Sequence, residues 1–313
     1  MTTTQEDQLR HILFQSLSPD KSTRQAAESA LLSSQSSPGH ALAVLRLVAA
    51  SSNANAGGSG DLPVRQAAAV HFKNMVKGGW GGSPNNDDDT SKFIIPDTDR
   101  ELIKNNLVSL MCTVPPALQS QCSESIALIA AVDFPQRWDN LLSDLISKFT
   151  DPNWNIVNGV LLTANSILKR FRFVQRSDAL YADILYVLQR IQEPLTQLFV
   201  SITAQLDMTH TASSGDILGL TARLAALRSI NRIFYSLNYQ DLPEYFEDHM
   251  NDWMAGFAKL LQYTNPSLVD EDEEMQPGEL VIVLLHIYVI FLIILDISSL
   301  INIIIMIFIN HAS

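Results

Sequence analysis

From Gln5 to about Tyr263, apolar side chains recur every three or four positions, the spacing that lines one face of successive helices. Two stretches carry the pattern most clearly. The first is Ile156, Val157, Val160, Leu161, Ala164, Ile167, Leu168 and Phe171, and the second is Tyr245, Phe246, Met250, Trp253, Phe257, Leu260 and Leu261. Strand-like alternation is nearly absent. Breaks fall at Ser18-Pro19-Asp20, Ser37-Pro38-Gly39, Pro63, Pro96, Pro115-Pro116, Pro135, Asp151-Pro152, Ser213-Ser214-Gly215 and Pro243. At such breaks proline or glycine ends one helix, and a Pro, Ser or Asp at the following first turn starts the next. The pattern predicts an all-α chain of about eleven helices, in five pairs with one helix left over.

A helix pair every ~40 to 47 residues is the period of HEAT-type arrays, in which each pair buries its apolar face only by stacking on its neighbours. The expected fold is a right-handed α-solenoid of HEAT repeats. An internal echo supports it: Asp133-Phe134-Pro135, followed by Trp138, Leu141, Leu142 and Leu145, resembles Asp241-Leu242-Pro243, followed by Phe246, Met250, Trp253 and Phe257. Residues 51–60 and 78–89, rich in Gly, Ser, Asn and Asp, are expected to be exposed, flexible loops, because they cannot bury enough apolar surface to offset the entropy of ordering.

Charge changes this picture at one end. The chain has a net charge of -12, yet Val281 to Ser313 contain no Lys or Arg and a single acid, Asp296. This apolar tail follows the acidic run at 270–274. Its uninterrupted stretch from Leu280 to Leu295 is about sixteen residues, shorter than the ~20 that span a bilayer. Asp296 inside a longer span would cost a few kcal/mol, about 2.5–3.5 on insertion scales. The tail is therefore expected to be non-family sequence, such as a translated intron. A membrane tether through residues 280–309 is the competing expectation, and it carries the alternative of attachment at the nuclear envelope. The acidic balance elsewhere argues against nucleic acid as a partner, since neutralising phosphates needs clustered cations. Two cysteines, Cys112 and Cys122, make neither a disulfide framework nor a zinc motif.

Candidate chemistry is sparse. The Gly-Gly-Ser-Gly run at 57–60 lacks the Gly-Lys-Ser/Thr of a phosphate loop, and Asp87, Asp88 and Asp89 lack the Gly and closing Glu of a calcium loop. The seven histidines have no ligand spacing, so His71 is expected to be structural. No nucleophile and base stand at a supporting distance along the sequence. No enzyme, no metal and no cofactor are expected. Lys169, Arg170, Arg172 and Arg176, interleaved with Phe171 and Phe173, form the compact basic cluster of the chain. Such cations could meet an acidic partner, or serve the carbonyls and dipole of a helix C-terminus.

Three segments resemble the importin-beta superfamily. Thr23 to Leu32, with Arg24, Ala27, Glu28 and Leu31, is similar to the second helix of that family's first repeat. Val64 to Lys77, with Trp80, resembles the signature helix of its N-terminal domain, and Asp133-Phe134-Pro135-Gln136-Arg137-Trp138 resembles its Asp-Phe-Pro-x-x-Trp turn. Two longer stretches, Ile156 to Val160 continuing to Ser166 to Arg172, and Phe234 to Asp248, narrow the resemblance to the CAS-type exportins. The sequence departs from the family at Gly78 and Gly79, where basic residues usually follow, and at Asp139, where Pro is common after the Trp.

The resemblance covers about residues 5 to 274 and implies a nuclear transport receptor that shuttles between nucleus and cytoplasm. Its expected partners are Ran in its GTP form, met by the inner helices of the first repeats, and importin-alpha, which the full-length family exports. Arg65, Lys73, Asn74 and Lys77 are the residues the resemblance sets against Ran, with bracing of neighbouring repeats as the other role for Arg65 and Asn74. The implied organisation is 1–130 as importin-beta N-terminal-like repeats, 131–279 as exportin-like repeats of the same array, and 280–313 as the apolar tail. A HEAT scaffold that binds other proteins without transport activity is the alternative.

Overall fold

The computed structural model describes residues 3–50, 61–81, 93–206 and 217–263. Among them are twelve α-helices, one 3-10 turn and no strand. The helices pair in chain order. Helix α1 (Thr3–Gln15) precedes α2 (Lys21–Ser34), α3 (His40–Ala49) precedes α4 (Asp61–Gly79), and α5 (Asp97–Thr113) precedes α6 (Pro116–Asp133). Then come α7 (Leu141–Ile146) with α8 (Trp154–Leu168), which the 3-10 turn Lys169–Arg172 extends, and α9 (Asp178–Gln205) with α10 (Ile217–Asn238). The leftover element is α11 (Glu244–Asp248) and α12 (Met250–Gln262), divided at His249. The fold is an all-α solenoid of HEAT repeats, five pairs and one more element, as the periodicity predicted. The loop 51–60, residues 82–89 of the second loop and the whole apolar tail lie outside the described residues.

Local chemistry sets the helix ends. Asp20 caps α2: its Oδ2 accepts from the Thr23 N–H at 2.7 Å and from the hydroxyls of Ser22 (2.6 Å) and Thr23 (2.8 Å). These bonds, that from Ser22 first, hold its carboxyl down to about 2. Gly39 enters α3 with φ of 77°, a left-handed turn that favours glycine, and its N–H donates to Asp99 Oδ2 at 2.8 Å. Asn153 caps α8 by accepting from the Asn155 N–H at 3.0 Å.

The chain forms two compact units divided at Pro194, inside α9. In the first, the second helices of successive pairs, α4, α6 and α8, pack side by side, and the first helices α3, α5 and α7 form the layer against them. Phe72, Met75, Ile103, Leu107, Met111, Ile126, Ile129 and Leu161 fill the space between. Spacing is tight at Gly159 of α8, where a Cβ would overlap the Gln119 side chain of α6, whose amide donates to Asn155 O at 3.1 Å. In the second unit the core is aromatic. Trp253 stacks on Phe199 at 4.2 Å and packs against Phe234 at 4.1 Å, with Phe246 and Phe257 closing the cluster. The Trp253 indole N–H donates to Thr196 Oγ1 at 3.1 Å, and Lys259 Nζ donates to the Thr203 carbonyl at 2.6 Å near the end of α9.

The Asp-Phe-Pro turn is where the first unit is tied. Asp133, 5% exposed at the end of α6, accepts from Trp80 Nε1 at 3.1 Å, and the Arg137 guanidinium stands 2.9 Å from its other oxygen. The buried Lys104 of α5 lies 3.7 Å from the same carboxylate, donates to the Arg137 carbonyl at 2.6 Å and pairs with Glu101 at 2.7 Å. Arg100 lies over the Trp80 ring at 5.4 Å and donates to the Gly79 carbonyl at 3.2 Å.

This arrangement corrects the expectation that an exposed loop begins at residue 78. Gly78 and Gly79 are the last residues of α4, and Trp80 is only 2% exposed. The indole has a carboxylate acceptor waiting in the interior, which outweighs the loop-like composition of its neighbours. Among the described residues, no helix is long and apolar enough to cross a membrane.

Replacing Asp133 by Ala leaves the buried Trp80 N–H without its acceptor, while Lys104 keeps Glu101 and the Arg137 carbonyl, so the variant should lose about 2 kcal/mol in urea denaturation. Trp80→Phe removes the same hydrogen bond and shrinks a buried ring beneath Arg100, and should lose at least as much, about 2–3 kcal/mol.

Candidate functional site

Helix α4 carries the four residues singled out for partner contact, and the structure divides them. Lys73, Asn74 and Lys77 share the outward face of the helix with Gln66 and Val70, opposite the buried Phe72, Met75 and Val76. Asn74 and Lys77 are exposed, whereas Lys73 is half-buried. Arg65 instead falls with Ala69, Phe72 and Val76 on the inward face and is buried, 6% exposed. Its Nε and Nη2 both donate to the Val48 carbonyl, at 3.1 and 2.9 Å. Val48 lies in the last turn of α3, where carbonyls have no partner within their own helix, so Arg65 satisfies the end of one helix from the start of the next.

The face is continued by the neighbouring second helix. Lys73 Nζ stands 3.2 Å from Glu124 Oε2 of α6, with Glu124 itself largely exposed. Sequence reasoning did not reach Glu124. It is fifty-one residues beyond Lys73, and only the packing of α4 on α6 puts the two together. At its C-terminal end α4 closes against Phe93: a Cβ on Gly79 would overlap that ring, while a Cβ on Gly78 would touch it at an ordinary 3.5 Å.

The remaining candidates resolve into packing. His71 lies edge-on to His40 of α3 at 5.9 Å, and neither Nε2 has a hydrogen-bond partner in the structure. Burial, and for His71 also the neighbouring His40, lowers both, His71 to about 4. Asp99 opposes the shift at His40. Both cysteines are free thiols, and burial pushes Cys122 up to about 12 and Cys112 upward as well. No group of His, Cys, Asp and Glu among the described residues is arranged to hold a metal ion. Asp87, Asp88 and Asp89 lie outside the described residues.

A solenoid whose second helices carry a mixed basic and polar face, braced by a buried Asp-Phe-Pro turn, invites comparison with transport receptors. The family model of the importin-beta N-terminal domain matches residues 27–113, and the Cse1 model matches residues 167–292, past Leu280. Exportin-2 of Pagrus major is 38% identical over 266 residues, and that of Homo sapiens 37% over 266. Each match covers 85% of this chain and 26% of the relative. A solved structure titled as the exportin Cse1 in its cargo-free, cytoplasmic state matches with a TM-score of 0.72 at 33% identity, over 86% of this chain and 27% of that one. The chain belongs to the importin-beta family of nuclear transport receptors. Within it, the likeness is to exportin-2, and the chain spans about a quarter of the length of the curated relatives it matches.

Two outcomes follow for this region. The unfolded chain protonates histidine near 6.5 but folded His71 only near 4, so acidification through that window favours unfolding. Urea midpoints should be level above about pH 6.5 and fall progressively toward 4, and His71→Leu should flatten that slope. In thermal melts, Gly79→Ala should destabilise by about 1–3 kcal/mol through overlap with Phe93. Gly78→Ala should instead be neutral or gain up to about 1 kcal/mol of helix preference.

Proposed function

We propose that this chain is a transport-receptor segment whose α4–α6 face binds Ran in its GTP form, and that in the full-length receptor it serves the export of importin-alpha from nucleus to cytoplasm. The observation that supports this reading is the joint outward placement of Lys73, Asn74 and Lys77 on a helix within the matched importin-beta N-terminal domain. Lys77 and Lys73 supply positive charge to an otherwise acidic chain, and Asn74 adds a donor and an acceptor between them. Arg65 enters the proposal as a brace that fixes the angle of α4 on α3. Glu124 holds the Lys73 ammonium on the surface, so it fixes the direction of that charge and also competes for it. The reading requires no bond-making chemistry, and the receptor shuttles with its partners between nucleus and cytoplasm.

The experiment is a pull-down of Ran, loaded with GTP or GDP, on the immobilised 313-residue chain. Retention of the GTP form alone is expected. The double variant Lys73→Glu, Lys77→Glu should weaken it about tenfold, a loss of about 1.4 kcal/mol. Equal retention of the two nucleotide forms, or a double variant that binds like the parent, would overturn the proposal.

A further inference from the structure

The turn that follows α8 treats its two aromatic residues oppositely. Phe171 is fully buried, whereas Phe173 is 80% exposed and the adjoining Val174 is 45% exposed. The turn itself is well tied. Arg170 lies over the rings of Phe134 at 5.7 Å and Phe171 at 5.5 Å, and donates to the Phe134 carbonyl and to Asp183, each at 3.2 Å. Its own carbonyl accepts from the N–H groups of Phe173 at 3.0 Å and Val174 at 3.2 Å. Phe173 is therefore held out by a fixed backbone. Around it stand cations: Arg172 lies 5.4 Å over its ring, and Lys169 and Arg176 are exposed on either side in the chain.

Service to the α8 C-terminus accounts for part of this cluster. Lys169, Arg170 and Arg172 sit at the helix end, where positive charge meets the dipole and the last carbonyls. That effect fades within one turn, so it does not reach Arg176, and it gives no reason for an exposed Phe. An exposed aromatic side chain with an arginine over its ring is instead the anatomy of a binding hot spot, where the ring supplies area to be desolvated and the cation supplies orientation.

We propose that the turn from Lys169 to Arg176 docks an acidic linear segment of a protein partner, with an aliphatic or aromatic side chain of that segment packed on Phe173. Charge complementarity selects the occupant. From Lys169 to Arg176 the turn carries four cations and no acid, and Lys169 and Arg176 face solvent, a compact positive patch that an acidic segment complements. A nucleic acid fits less well, because phosphates at regular spacing need a longer row of cations than Lys169, Arg172 and Arg176 supply. Binding would be salt-sensitive, since Lys169 and Arg176 are open to solvent.

The test is random-peptide display on the full chain, with a second selection on the double variant Phe173→Ser, Arg176→Glu. Peptides enriched on the parent and lost on the variant should be rich in Asp and Glu around one Leu or Phe. One such peptide, labelled for fluorescence anisotropy, should bind the variant about tenfold or more weakly, the factor that about 1.4 kcal/mol makes. If the double variant melts below the parent, Arg176→Glu alone is read in its place: loss of peptide supports the proposal and retention overturns it. The proposal also fails if no peptide distinguishes parent from variant, or if those that do carry no acidic enrichment. A single-stranded oligouridine probe that binds more tightly than the peptides, with the same dependence on Phe173 and Arg176, assigns the turn to RNA and overturns it.

Discussion

A carboxylate buried at the end of a helix needs partners, and Asp133 finds them on three other parts of the chain. The indole N–H of Trp80 comes from the end of α4, Lys104 from α5, and Arg137 from the turn that leads to α7. The Trp80 N–H and Lys104 reach it from the interior, whereas Arg137 reaches it from the solvent side. Its position matters as much as its strength. A HEAT array is held by nearest-neighbour contacts, and apolar faces alone tolerate sliding along the helix axis. Directional bonds to one carboxylate fix where α4, α5 and α6 stand along one another, and so fix the relation of Lys73 to Glu124 across the outer face of α4 and α6.

The second unit reaches a similar end with different chemistry. Its fixed point is Trp253, stacked on Phe199 and bonded to Thr196, with no buried charge in the contact. Gly256 permits the approach, since a Cβ there would overlap the Phe199 ring. The sequence echo between the two Asp-x-Pro turns is thus an echo of placement more than of mechanism. Trp138, the counterpart in the first unit, is buried before α7 begins, and the indole that bonds Asp133 is Trp80.

The helices were legible because their signals are local. Three- and four-residue spacing, Pro at first turns and Asp or Asn at caps each act within a few residues, and so the pairs and their order could be read directly. The site was legible as a helix and a face but not as a set of contacts. Spacing puts Arg65 in line with the apolar Ala69, Phe72 and Val76, but its acceptor, the Val48 carbonyl, depends on how α4 meets α3, which no local rule specifies. Glu124 joins through a packing contact between helices that are far apart in sequence. The end of α4 was misjudged for a related reason: Gly78 and Gly79 look like loop residues until Phe93 and the Asp133 carboxylate supply the neighbours that close the helix.

The protonated state of the two thiols bears on how this chain can be studied. Alkylating probes attack the thiolate, and burial holds Cys122 neutral across the whole working range while disfavouring ionisation of Cys112. Neither thiol competes well with an exposed cysteine of ordinary acidity. The natural sequence is therefore a quiet background for site-specific labelling, and a reporter introduced at a solvent-facing position such as Asn74 would give a signal that belongs to that face of α4 alone.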